Sequence, residues 1–226
     1  MSKRRVVLSW SSGKDSAWCL HLLRQDPQIE VAGLLTSFNA EAGRVAMHAV
    51  RRELVQRQAQ LAGLPLFPVE LPYPCPNGAY EEAMKTAVAG LRTELSIDAV
   101  AFGDLFLEDI RDYREALLAD TGLTASFPLW GMDTRQLADD MLDGGLHAVI
   151  TCVDPAQCPE AIAGKEYTRA LLASLPSTAD PCGENGEFHT FVHGGPMFSE
   201  SIHLVRGNSV SRDGFVFADF RPAATN

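Results

Sequence analysis

A serine-rich loop near the start of the chain combines residue types that bind phosphate. Its sequence, SSGKDS, occupies residues 11–16, between an apolar segment and a helical one. A loop in that position presents backbone N–H groups at a helix N-terminus, which carries about half a positive charge. Gly13 lets a ligand approach the main chain, serine hydroxyls donate hydrogen bonds, and Lys14 adds a point charge. The loop therefore predicts an anion-binding cradle.

The cradle has a simpler alternative, in which Asp15 or Ser16 merely caps the first turn of a helix. It is not a Walker A loop, because no glycine lies five residues before Gly13. A second polar cluster, CGENGEFHT, occupies residues 182–190. Acidic and amide side chains surround two glycines there and lead into an apolar β-like run. This pattern favours a binding loop, and a solvated turn is the alternative for Glu184 and Glu187.

The elements that position these loops alternate in type along the first half of the chain. Apolar runs predict strands at residues 5–10, 29–38, 66–70 and 97–103, and helical spacing predicts helices at 15–24, 45–62, 79–95 and 108–121. Such alternation predicts a parallel sheet covered on both faces by right-handed crossovers. Strand four should neighbour strand one, so that Gly103 and Asp104 approach the cradle. A turn aspartate is the alternative for Asp104.

The pattern loosens beyond Gly122. It predicts strands at 125–127, 147–153, 188–192, 202–206 and 215–220, helices at 133–142 and 165–174, and hairpin turns at 206–208 and 212–214. We therefore expect an α/β, Rossmann-like core at residues 1–122 and a smaller mixed α+β segment at residues 123–226, which would bind the substrate.

Composition narrows the function classes. The formal charge is −10, with 29 acidic against 19 basic residues, which disfavours broad nucleic-acid binding. Five cysteines without a CxxC pair disfavour a disulfide framework and a zinc ribbon. No apolar run approaches the roughly 18–20 residues of a membrane span, and the N-terminal apolar stretch is shorter than the about 7–15 residues of a secretory signal. We therefore expect a cytoplasmic protein that does not contact membranes.

The loop at residues 11–16 resembles the SGGxDS signature of the PP-loop ATP pyrophosphatases, with Ser12 in place of the first glycine. Serine costs little there unless the backbone needs a positive φ. Other stretches are similar to the diphthine–ammonia ligases of the diphthamide synthase type: Met47-His48 ahead of a helix ending QAQLAGLP, Gly103-Asp104, residues 111–122 leading into PLW, and residues 182–190, which match the family block GE(N/G)GE(Y/F)(H/E)T. The resemblance extends from Arg4 to about Phe220.

This resemblance implies a fold of the adenine nucleotide alpha hydrolase type and an ATP-dependent amidoligase. Such enzymes adenylate the carboxylate of diphthine, a modified side chain on a translation elongation factor. They then transfer ammonia to it and release AMP and pyrophosphate. A carboxylate needs this activation because its oxygen is a poor leaving group. The implied cofactors are ATP and Mg²⁺, and the oligomeric state is not implied.

The resemblance also implies roles for individual residues. The nucleotide would contact Ser11, Ser12, Gly13, Lys14, Ser16, His48 and Gly103, with Lys14 as an optional charge, and adenine would lie near the backbone of residues 35–37. Asp15, Asp104 and Glu187 would be catalytic, with Asp15 and Asp104 also near the metal, and Glu187 would orient ammonia or a cationic group. Trp130, Glu184, Asn185, His189 and Thr190 would contact substrate.

Several of these roles have structural alternatives. A carboxylate beside a triphosphate is costly unless a cation lies between them, which favours a metal role over a capping role for Asp15 when ATP is bound. His48 is equally consistent with a polar helix start, and Trp130 with core packing. Two other functions also fit a PP-loop: a tRNA-modifying enzyme, and a nucleotide-binding protein without turnover. Release of AMP and pyrophosphate separates the ligase from the second of these.

Overall fold

A computed structural model describes residues 3–45 and 49–224. Its strands are β1 (Arg4–Ser9), β2 (Ile29–Asn39), β3 (Arg44–Val45), β4 (Leu66–Leu71), β5 (Ala99–Ala101), β6 (Thr124–Ser126), β7 (His147–Val153), β8 (Phe188–Gly194), β9 (Leu204–Arg212) and β10 (Phe215–Pro222). Its α-helices are α1 (Lys14–Gln25), α2 (Arg52–Ala62), α3 (Asn77–Leu95), α4 (Glu108–Leu118), α5 (Thr134–Asp143) and α6 (Arg169–Ala173), and a 3₁₀ turn spans Glu160–Ile162. None of the described helices is long and apolar enough to cross a membrane.

The first sheet is mostly parallel and confirms the predicted α/β class. β1 pairs in parallel with β2 and β5, β5 pairs with β6, and β2 pairs with β4, while β3 is a short antiparallel addition to β2. The pairing of Leu8 with Ala101 brings together the carboxyl ends of β1 and β5, as predicted. Ligands of open α/β sheets bind at such an edge.

Burial on both faces explains why β1 reads as a continuous apolar run. Val6 and Leu8 belong to a core that includes residues of α1 and α2, whereas Val7 belongs to a second core that includes residues of α3 and α4. Alternate side chains of one strand thus enter opposite layers, as expected for a parallel strand covered by helices on both faces. The same packing fixes where the strand ends and the cradle begins.

The second sheet is antiparallel, in the order β8-β7-β10-β9. Its β8 edge lies against the loop after β1, because the Val192 N–H donates to the Ser12 carbonyl oxygen at 3.0 Å. α2 packs against β10 on the same sheet. The cradle is therefore held between the two sheets.

Three predicted elements differ most clearly from the structure. The helix predicted at 45–62 begins at Arg52, because Val45 belongs to β3 and pairs with Phe38 of β2. Residues 46–48, which include Met47 and His48, lie outside the described residues. The helix predicted at 165–174 is limited to α6, because the backbone of residues 164–167 bonds to β7 instead. The hairpin turn predicted at 206–208 is wrong, since β9 runs through it paired with β10.

The other predicted hairpin turn, at 212–214, is confirmed and joins β9 to β10. Asp213 and Gly214 have φ values of 52° and 84°, the positive values that a two-residue turn of this kind needs. β6 pairs with β5 and so extends the first sheet past residue 122. The division of the chain into domains at that residue stays a prediction.

Candidate functional site

A cavity of about 220 Å³ opens where the carboxyl ends of β1 and β5 meet the loop before β8. The predicted site residues that line it are Ser11, Gly13, Lys14, Asp15, Ser16, Gly103, Asp104, Glu184, His189 and Thr190. Ser12, Trp130, Asn185 and Glu187 do not line it, and His48 lies outside the described residues. Three segments that are far apart in sequence therefore form one polar cavity.

The loop at 11–16 is held in shape by its own hydroxyl groups. The Gly13 N–H donates to Ser11 Oγ at 3.3 Å, Ser11 Oγ and Ser16 Oγ lie 3.1 Å apart, and Ser16 Oγ donates to the Gly13 carbonyl at 3.0 Å. Gly13 is the N-cap residue of α1, so neither Asp15 nor Ser16 occupies the capping position. A Cβ added at Gly13 would lie 3.2 Å from the Thr190 carbonyl oxygen, so this glycine also lets β8 approach.

Ser12 has φ 72°, the positive value at which serine is costly in place of the family's glycine. Its carbonyl oxygen accepts hydrogen bonds from the Val192 N–H at 3.0 Å and from Gln58 Nε2 at 3.1 Å. Its hydroxyl is buried and has no partner among the described residues. The Ser12 backbone therefore links the loop to β8 and α2, and the Ser12 side chain does not line the cavity.

The Lys14 ammonium group is buried and forms an ion pair inside the protein. Only 2% of its side chain is exposed; Nζ donates to both carboxylate oxygens of Asp15 at 2.8 Å and to the Cys182 carbonyl oxygen. Burial acts to lower the pKa of Lys14, but Asp15, Cys182 and Glu184 together outweigh it and the pKa is raised. The Lys14 backbone N–H donates to Thr190 Oγ1 at 3.0 Å. Lys14 thus ties the start of α1 to the C-terminal loop.

Asp15 and Asp104 are the carboxylates beside the cradle. The Asp15 side chain keeps 26% of its exposure, and burial raises its pKa despite the Lys14 ammonium. Asp104 follows β5, and burial raises its pKa despite the nearby Arg114 guanidinium. A Cβ added at Gly103 would lie 3.0 Å from the Asp15 carbonyl carbon and from the Ser16 nitrogen, so this glycine lets the loop after β5 pass close to α1.

Arg114, in α4, is a candidate that sequence reasoning missed. Its Nε lies 3.5 Å from Asp104 Oδ2, its Nη1 donates to the Tyr80 hydroxyl at 3.2 Å, and its guanidinium lies 5.0 Å from the centre of the Phe102 ring. Asp104 Oδ2 and Arg114 Nε are buried and lack a hydrogen-bond partner in the described part of the chain. The available signal was an arginine near the middle of the helix that follows β5.

The C-terminal loop places Glu184 and Glu187 in different environments. Glu184 lines the cavity, and its Oε1 accepts the Leu105 N–H at 2.7 Å. Burial raises the pKa of Glu184 to about 7. Glu187 is 1% exposed, and its Oε1 accepts the Asp180 N–H at 2.8 Å and Asn185 Nδ2 at 3.1 Å. The structure therefore brings Glu184, and not Glu187 or Asn185, to the cradle.

Asp180, a second residue that sequence reasoning missed, shapes the same loop. Its Oδ2 accepts the Cys182 N–H at 3.1 Å and the Glu184 N–H at 3.0 Å. Such side-chain-to-backbone bonds are the known way in which aspartate fixes a turn.

Further along, burial, together with Lys14, lowers the pKa of His189 to about 4, so that its ring is neutral at pH 7.

Trp130 lies away from the cavity and packs against neighbouring side chains. Its ring meets the Phe127 ring edge-on at 5.8 Å, and the Arg111 guanidinium lies 4.9 Å from its centre. Trp130 is half-buried, and its contact with substrate stays a prediction.

A second cavity of about 490 Å³ adjoins the first. It lies between the carboxyl ends of β1 and β2 and the helices α3 and α4, and Leu35 and Ser37 line it, in the region predicted for adenine. Ser9, Ser11 and Arg114 line both cavities. The two spaces therefore meet at these three residues.

Comparison with known proteins identifies the family. A model of the diphthamide synthase N-terminal domain matches residues 4–125, and a model of the C-terminal domain matches residues 133–217. The chain belongs to the diphthamide synthase family. This confirms the predicted resemblance and the prediction of a ligase that forms C–N bonds, with nucleotide binding of the PP-loop type.

Individual relatives agree with this family. Diphthine–ammonia ligase from Danio rerio is 25% identical over 235 residues, covering 95% of this chain and 91% of its own. Diphthine–ammonia ligase from Schizosaccharomyces pombe is 29% identical over 112 residues, covering 48% of this chain and 18% of its own. The solved U34-tRNA thiolase NcsA from Methanococcus maripaludis, with its [4Fe-4S] cluster, aligns with 63% of this chain and 57% of its own at a TM-score of 0.40 and 17% identity.

Proposed function

We propose that this member of the diphthamide synthase family adenylates a substrate carboxylate with ATP and then transfers ammonia to it, releasing AMP and pyrophosphate. The junction of the two cavities carries the proposal. The smaller, polar cavity fits a phosphate tail, and the larger cavity beside β2 fits a nucleoside. The α-phosphate of ATP bound in this way lies near Ser9, Ser11 and Arg114, which border both spaces. Attack at this phosphorus yields an acyl adenylate and pyrophosphate.

The residues at the junction match the charge that develops in this reaction. Tyr80 and Asp104 hold Arg114 at the border of the two cavities, where the α-phosphate would lie. Donors fixed before the reaction stabilise developing charge at little reorganisation cost. The cradle at 11–16 holds the leaving pyrophosphate, and the Lys14–Asp15 pair keeps the start of α1 in place. Arg114 thus orients the α-phosphate for in-line attack by the carboxylate.

The carboxylates beside the cradle fit Mg²⁺. No group of three or more metal-binding side chains occurs among the described residues, but Mg²⁺ is commonly held by one or two carboxylates together with phosphate oxygens and water. Asp15 and Asp104 supply two such carboxylates in one cavity, where Asp104 Oδ2 forms an ion pair with Arg114 at 3.5 Å but no hydrogen bond to a described residue. When bound, the ion would neutralise phosphate charge beside them.

For the acceptor we propose a diphthine-like carboxylate on a protein, because the relatives are named diphthine–ammonia ligases. Glu184, His189 and Thr190 line the cavity on the side of the C-terminal loop and would contact this substrate. The trimethylammonium group of diphthine suits an acidic site beside an aromatic ring, and the Phe188 ring lines the same cavity. Glu187 and Asn185 would act by holding the loop.

The test combines the protein with ATP, Mg²⁺, ammonium and an elongation factor that carries diphthine. We expect AMP, pyrophosphate and, by mass spectrometry, conversion of the carboxylate to an amide. The Asp15→Asn variant should lose AMP formation by about 100-fold or more, while the exposed matched control Asp109→Asn should keep it. Unchanged AMP formation by Asp15→Asn would remove Asp15 from the mechanism. Absence of AMP and pyrophosphate with wild-type protein would instead indicate a nucleotide-binding protein without turnover.

A further inference from the structure

Four arginine side chains line a cavity that the proposed function does not use. This cavity, about 460 Å³ in volume, lies between strands β9 and β10 and the residues that precede α2. Arg44, Arg51, Arg212 and Arg221 line it, and Asp219 is the one carboxylate among its described lining residues. The chain as a whole carries a net charge of −10, so this concentration of positive charge is local.

The backbone around Asp219 is built to hold two of these arginines. The pairing of β9 with β10 shifts register at Asp219, a bulge of the kind that re-aims a side chain. Opposite it, a Cβ added at Gly207 would lie 3.1 Å from Asp219 Oδ2, so glycine leaves room for the carboxylate. Arg51 donates to both carboxylate oxygens, at 3.0 and 2.6 Å, and Arg44 donates to one at 2.9 Å. These hydrogen bonds lower the pKa of Asp219, and the bonds from Arg51 have the largest effect.

The other two arginines remain available to a ligand. The Arg212 guanidinium lies 5.2 Å from the centre of the Phe217 ring and 3.4 Å from the exposed Asp213 carboxylate. Arg221 makes no salt bridge or side-chain hydrogen bond within residues 3–45 and 49–224. A single lining carboxylate does not neutralise four guanidinium groups, and the surplus stays positive even when Asp213 beside Arg212 and Glu53 near Arg51 are counted. A phosphate monoester, with a charge of about −2, suits a positive lining.

We propose that this cavity binds a small molecule through a phosphate group. Guanidinium groups match phosphate oxygens with paired hydrogen bonds, and arginine is the preferred residue for that geometry. The cavity volume falls within the range of roughly 300–1,000 Å³ that is usual for small-molecule sites. Val210 and Phe217 provide an apolar part of the lining, which suits a phosphate ester with a flat organic group. The phosphate group comes from such an ester or from free phosphate.

Amide NMR of the full chain tests the proposal with two probes, inorganic phosphate and phenyl phosphate. A saturating non-hydrolysable ATP analogue would be present so that the cradle is occupied. We expect saturable shifts at the amides of Gly207 and Asn208, which line the cavity. Tighter binding of phenyl phosphate identifies an ester as the ligand, and equal affinities identify free phosphate; both support the phosphate site.

The double variant Arg212→Ala/Arg221→Ala separates the site from the overall charge of the protein. Neither residue hydrogen-bonds to Asp219, as Arg44 and Arg51 do, so the fold should be retained. We expect its dissociation constants for both probes to rise about tenfold or more, since two charge-assisted contacts are lost. The charge-matched control Arg57→Ala/Arg135→Ala should change them less than about twofold. Equal weakening by the two double variants, or shifts confined to residues 11–16, would overturn the proposal.

Discussion

Replacing Glu184 with glutamine tests how much an ionised carboxylate in the cavity beside the cradle lowers the unfolding free energy of the protein. Burial raises the pKa of Glu184 from its ordinary value of 4.5 to about 7. A carboxyl group with a higher pKa in the folded than in the unfolded chain binds its proton more tightly when folded. Ionisation therefore destabilises the fold as the pH rises above 4.5, and the full cost is reached above pH 7.

The size of this effect follows from the two pKa values. A change from 4.5 to about 7 corresponds to about 3 kcal/mol for a fully buried group. Since Glu184 is only partly buried, solvent screening should reduce the cost to about 2 kcal/mol. Glutamine does not ionise, and it keeps an oxygen that accepts the Leu105 N–H. The Glu184→Gln variant should thus exceed the wild type in unfolding free energy by about 2 kcal/mol at pH 8 and by less than about 1 kcal/mol at pH 5.

Urea unfolding between pH 5 and 8, extrapolated to zero denaturant, measures this difference. The exposed Glu82 on α3 provides the matched control, and Glu82→Gln should stay within about 0.5 kcal/mol of the wild type at every pH. A gain in Glu184→Gln that does not change with pH would refute the reasoning, because the effect would then come from packing and not from ionisation.

Three further substitutions test the loops around the cradle. Ser12→Gly should raise the unfolding free energy by about 1 kcal/mol, because it removes a positive-φ serine and a buried hydroxyl without a described partner. A lower unfolding free energy of the variant, measured by urea denaturation, would contradict this. Gln58→Leu should lower it by about 3 kcal/mol, because the buried amide accepts from Trp10 Nε1 and donates to two backbone carbonyls; a fully stable variant would be evidence against it. Gly103→Ala should weaken ATP binding at least about tenfold in a nucleotide titration, because its Cβ would press on the backbone of Asp15; unchanged affinity would exclude that contact.

Local sequence patterns were sufficient for the parallel sheet and the cradle. A buried parallel strand reads as a continuous apolar run, and a serine-glycine loop between such a strand and a helix predicts an anion site at that loop. The pairing of β1 with β5 then brings Asp104 toward this loop, as the strand order predicts. Each of these features depends on neighbours in sequence or on a general rule of sheet topology.

The assignment of the two glutamates was harder, because it depends on a turn and on distant partners. Glu184 and Glu187 lie three residues apart in a loop where Gly183 and Gly186 have φ values of 69° and 85°. Such backbone values reverse the chain direction, so sequence spacing does not reveal which carboxylate faces the cavity. Leu105, the partner of Glu184, lies 79 residues away. Sequence reasoning therefore recognised the cluster and gave the catalytic role to Glu187, and that role stays a prediction.

The buried Lys14 shows why the cradle depends on both parts of the chain. Its backbone N–H and its ammonium group bind Thr190 and Cys182, which are 176 and 168 residues away. A lysine ammonium is too costly to bury without such partners, so the start of α1 keeps this geometry only while the C-terminal loop is docked. A ligand that binds the cradle in this geometry must therefore stabilise the docked loop by the same free energy with which docking favours its binding. We therefore expect nucleotide binding to be coupled to docking of the C-terminal loop.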